Sequence, residues 1–122
     1  MAEERIYPRV KSEWKLLLTT DGENKQIGYV IDISLTGVLL FLYEDYKIEL
    51  GKHRFTLKLE NKQLSPSELT ISGLKEWNKK GKNAFFLAIK LDKLDKVKRT
   101  AFIHFLSRSD KLHVQVFLLE NA

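Results

Sequence analysis

The feature that most limits what this chain can become is its apolar period. Short segments alternate with a period of two, punctuated by turn residues at close intervals, and only one segment repeats near 3.6. From Ser12 to Thr20, Trp14, Leu16 and Leu18 alternate with Glu13, Lys15 and Leu17, as a half-buried strand requires. Thr20-Asp21-Gly22-Glu23-Asn24 reads as a turn, followed by strands over Gln26 to Ile33 and Gly37 to Leu42 with a polar, Gly-ended corner between them. Phe55, Leu57 and Leu59 mark another strand, and Leu69 to Trp77 and Ala84 to Leu91 predict a hairpin with a basic tip over Trp77 to Asn83. Six such strands predict a closed or nearly closed antiparallel barrel.

Leu94, Val97, Ala101 and Phe105 then fall on one helical stripe, widened by Phe102 and Leu106, so one helix is expected over 92–109. Asp92 and Asp95 at its start and Arg108 near its end suit the helix dipole and its unpaired backbone groups. Val114, Val116 and Leu118 give a last strand within 110–122, which either closes the barrel's open side or pairs two chains edge to edge as a homodimer. The chain is thus expected to be a single mainly β domain, with 1–11 as an arm, 12–91 as the barrel, then the helix and the C-terminal strand.

A chain of 122 residues, 43% hydrophobic and 30% charged, has enough apolar surface for one core and enough charge to solvate it. With no cysteine, disulfides, thiolate zinc sites and a cysteine nucleophile are excluded. The first ten residues hold no apolar block, and the longest apolar run, Val38 to Tyr43, is far short of a membrane-spanning helix. A cytoplasmic protein with no membrane span is expected. Net charge is +5, and all of the excess lies after residue 61, which is compatible with an anionic partner as well as with simple solubility.

Enzymatic signatures are missing. His53, His104 and His113 lie on different elements without metal-ligand spacing, Ser34 lacks the glycine of a nucleophile elbow, and no phosphate-loop motif occurs. No catalytic residue, metal or cofactor is expected. What the sequence does contain is an arginine pair in a lysine-rich chain, Arg5-Ile6-Tyr7-Pro8-Arg9, two of only five arginines against sixteen lysines. Guanidinium grips phosphate or the O6/N7 edge of guanine through paired donors and can stack on a base, which lysine cannot. Pro8 turns Tyr7 away from helical geometry, so an extended arm is predicted. Further on stands Asp32-x-Ser34-x-x-Gly37, in which a carboxylate can accept from guanine N1–H and N2–H₂, a hydroxyl can bond either way, and a glycine permits close approach. Taken singly, the pair is an ordinary surface feature and the second motif a capped turn.

In this order, Arg-x-x-x-Arg before the first strand and Asp-x-Ser-x-x-Gly between two strands of a barrel, the chain resembles the PilZ domain family, whose members bind cyclic di-GMP. The resemblance extends to a six-stranded barrel, Trp77 at the end of the fifth strand and a helix after the sixth. It implies that Arg5 and Arg9 contact phosphates and guanine faces, that Asp32 and Ser34 read a guanine edge, and that Gly37 shapes the corner. Two departures are visible. Glu3-Glu4 stands where the family often has a basic residue before the first arginine, which implies one bound ligand rather than two stacked ones. Ala88-Ile89-Lys90-Leu91 replaces the family's Gly, apolar, any, Phe pattern in the sixth strand.

The resemblance therefore implies a receptor that converts cyclic di-GMP binding into a changed surface for a downstream protein partner. Two other readings stand beside it: a family-like adaptor that binds protein and no nucleotide, and, less favoured, a nucleic-acid-binding barrel using Lys75, Lys79, Lys80 and Lys82 around Trp77.

Overall fold

The computed structural model describes residues 14–45, 53–82, 84–109 and 113–119. Its first hairpin follows from two residues. Asp21 and Gly22 both have positive φ, 50° and 80°, the conformation of a two-residue turn whose twist matches that of paired strands. The turn joins β1 (Lys15–Thr20) to β2 (Glu23–Ile33), with Thr19 opposite Asn24 and Lys15 opposite Tyr29. β3 (Gly37–Leu42) returns along β2, and β4 (Arg54–Glu60), β5 (Glu68–Lys80) and β6 (Phe85–Leu91) form an antiparallel meander. β6 pairs with β3, so the meander enters the sheet in reverse order.

The helix α1 (Lys96–Arg108) then carries the chain across to β7 (Gln115–Leu119). This last strand lies between β1 and β4 and completes a closed barrel in the order β1-β2-β3-β6-β5-β4-β7. The expected six-stranded antiparallel barrel is thus corrected to seven strands, with one parallel pair, β7 against β1. The parallel partners are not consecutive: α1 joins β7 to β6, with which it does not pair, while β1 lies at the other end of the chain, so no tight turn has to link the parallel pair. Both edges of β7 are paired within the chain, which leaves it no edge for the strand-to-strand homodimer entertained from sequence.

Alternation fills the barrel. Leu16, Val30, Leu40, Leu57, Leu59, Leu87, Ile89, Val116 and Leu118 point inward and are almost wholly buried. Each such side chain contributes about 1.5–3 kcal/mol of transfer free energy. Trp14 and Phe105 meet edge to face, ring centroids 6.4 Å apart, where α1 covers one end of this core.

Helix and hairpin boundaries differ from the sequence expectation for identifiable reasons. Asp95, not Asp92, is the N-cap; its carboxylate accepts from the Lys98 backbone N–H at 2.8 Å. Asp92 is instead held by Arg54 of β4, and its own N–H donates to Ser72. Of the expected stripe only Phe105 is fully buried, with Phe102 beside it, whereas Val97 is 79% exposed. The basic segment after Trp77 is strand, not hairpin tip: Trp77, Asn78, Lys79 and Lys80 pair with Ala88, Leu87, Phe86 and Phe85. Backbone pairing to β6 outweighs the turn propensity of Asn and Lys there. Among the described residues no helix is long and apolar enough to cross a membrane.

Candidate functional site

The corner between β2 and β3 is built around an irregularity. Val30 pairs with Leu40 and Ile33 with Val38, both couples facing the core, yet Asp32 pairs with Leu39, so Ile31 is an extra residue in the ladder. Such a bulge re-aims the side chains that follow it. Without the extra residue, Asp32 would point into the apolar interior and Ile33 outward; with it, Ile33 joins the core and Asp32 takes the outer face. The Asp32 residue is nonetheless only 3% exposed. A charge withdrawn from water to that degree has to be met by donors or a cation.

Two residues on, Ser34 is buried at 1% and leaves the strand. Its N–H donates to the Gly37 carbonyl at 2.9 Å, and its Oγ accepts from the Thr36 N–H at 3.2 Å and lies 3.2 Å from the Thr36 Oγ1. Thr36 in turn accepts from the Leu91 N–H at 3.0 Å, tying the corner to the end of β6. At Gly37 a Cβ would lie 3.2 Å from the Ile89 carbonyl oxygen, so this glycine serves close packing of β3 on β6. The capped-turn reading of the motif and its grouping of Asp32, Ser34 and Gly37 therefore coexist: the hydroxyl ties the turn, and the carboxylate stands beside it on the outer wall.

The chain enters this region from its N-terminal side. The Val30 N–H donates to the Trp14 carbonyl at 2.9 Å, so the sheet receives the chain two residues from Asp32 on the neighbouring strand. Arg5 and Arg9, and the arm expected over 1–11, lie outside the described residues. Trp14 follows Arg9 by five positions, which bounds their Cα atoms to within roughly 18 Å at full extension.

Register also shows what sequence reading missed. Asp32, Leu39, Ala88 and Trp77 form one row across the outer faces of β2, β3, β6 and β5. Beside it runs a second row, Lys15, Tyr29, Phe41, Phe86 and Lys79, from β1 to β5. Tyr29 and Phe41 lie nearly parallel, centroids 6.3 Å apart, and Phe41 meets Phe86 at 5.9 Å. Tyr43 abuts both Tyr29 and Phe41, at 5.6 and 6.0 Å. Trp77, placed by the sequence at the end of the fifth strand, is 44% exposed on this wall. The signal available in the sequence was the outward parity of Tyr29, Phe41 and Phe86 on their strands; their adjacency depends on pairing β3 with β6, which no local pattern specifies.

Among the described residues no group of His, Asp and Glu is placed to hold a metal ion. No family model, curated protein or solved structure matches the chain.

Proposed function

We propose that this protein is a PilZ-like, cytoplasmic receptor for cyclic di-GMP whose occupied surface engages a downstream protein. The observation that carries the reading is the Asp32 carboxylate, withdrawn from water on the barrel's outer wall, grouped with Ser34 and Gly37 beside the point where the arginine-bearing segment joins the sheet. In the proposed complex Asp32 accepts from guanine N1–H and N2–H₂, and the Ser34 hydroxyl supports the same edge. Arg5 and Arg9 supply paired donors to phosphate and planar faces to guanine. The role is binding rather than turnover, and needs no metal or cofactor.

Calorimetric titration with cyclic di-GMP, with GTP as control ligand, tests the reading. Saturable binding is expected for the wild type, one ligand per chain. Arg9→Ala and Asp32→Ala are each expected to weaken it roughly 10- to 100-fold, the cost of a charge-assisted hydrogen bond. No heat and no thermal stabilisation in the wild type would overturn it in favour of a nucleotide-free protein adaptor.

A further inference from the structure

We infer that the aromatic row Tyr29–Phe41–Phe86, with Tyr43 at its margin and Lys15 and Lys79 at its ends, is a stacking platform for the second guanine of the dinucleotide. This rests on the reading above, in which Asp32 and Ser34 take the first guanine. Four contiguous rings on the outer face of a barrel are unusual, because that face of an antiparallel sheet is normally polar. Packing of the core does not call for them: the inward residues of the same strands, Val30, Leu40 and Leu87, already fill it. Their place relative to Asp32 is fixed by register. On β3 the row of Leu39, which holds Asp32, and the row of Phe41 are two residues apart on the same face, about 7 Å at the rise of a strand.

That arrangement suits a ligand carrying two flat bases on a compact anionic ring. Aromatic side chains stack on any base, and the face supplies rings beside a group that reads only one edge. Lys15, opposite Tyr29, and Lys79, opposite Phe86, are exposed and put positive charge at both ends of the row, where phosphates flanking a stacked base would lie. Tyr43, 39% exposed, keeps ring surface at the margin accessible.

The test compares wild type with Phe41→Leu and Phe86→Leu, which keep an apolar side chain and remove the ring. Cyclic di-GMP and a short single-stranded oligothymidine are the two probes. The expected result is an upfield shift of one guanine H8 resonance on binding to the wild type, with affinity for cyclic di-GMP lowered roughly tenfold or more in each variant and unliganded melting temperatures little changed. If either variant loses the barrel's circular dichroism, Tyr43→Leu at the exposed margin replaces it, with a weakening of the same sign expected. Wild-type affinity in the variants, or an unshifted H8, overturns the platform and leaves the receptor reading intact. Binding of the oligonucleotide without cyclic di-GMP overturns both in favour of a single-strand interface, and binding of neither overturns both outright.

Discussion

Glycines at two positions do different work, and each can be tested alone. At Gly28 an added Cβ would lie only 1.8 Å from the Phe41 carbonyl oxygen, a backbone atom held in the β2–β3 ladder, so there is nowhere for a methyl group to go. Gly28→Ala is expected to destabilise the protein by several kcal/mol or prevent folding, read as a large fall in the urea midpoint. Gly22 is the contrary case: its Cβ would meet nothing, but its φ of +80° is strained for any side chain. Gly22→Ala should cost about 1–2 kcal/mol, with the barrel intact by circular dichroism. Asp21-Gly22 was legible in the sequence as a turn because its chemistry is local. Gly28 was not, since its constraint comes from a neighbouring strand.

At the scale of elements, α1 shows how a local motif and a tertiary contact divide a boundary between them. The sequence places both Asp92 and Asp95 at the helix start and begins the helix at 92, whereas in the structure Asp92 pairs with Arg54 and Asp95 caps α1. Asp95→Ala is expected to cost about 1 kcal/mol, the usual loss for an N-cap, whereas Asp92→Ala should cost less, because its ion pair is substantially exposed. Chemical denaturation of the two variants side by side reads the difference; an equal or reversed cost would mean that the Asp92 contact, not the cap, anchors the helix. The bulge at Ile31 is the corresponding case among strands. Val30-Ile31 breaks the alternation in the sequence, but only the register with β3 converts that break into an outward Asp32 and an inward Ile33.

For the whole molecule, closure is the governing event. β7 supplies hydrogen bonds to both β1 and β4, and Val116 and Leu118 occupy the core between them. Deleting residues 113–122 would therefore expose two long strand edges and open the interior. The expected outcome is loss of cooperative thermal unfolding together with aggregation in size-exclusion chromatography. A soluble, cooperatively melting truncation would show that the remaining six strands form a barrel by themselves. The same closure bears on assembly, since a C-terminal strand engaged on both sides cannot join two copies through its edge.

By itself the sequence determined the class of this protein: a period of two repeated over short segments, one helical stripe and turn residues between them fix a mainly β domain with a single helix. It also grouped Asp32, Ser34 and Gly37, on which the proposed nucleotide reading rests, because they form one short motif. The tertiary structure alone decided that the C-terminal strand closes the barrel, its parallel partner, the outward face of Asp32 and the aromatic row beside it. The division has a physical cause. Periodicity and turn chemistry act between residues close in the chain, whereas strand order, register and closure are set by lateral hydrogen bonds and packing among segments far apart in it.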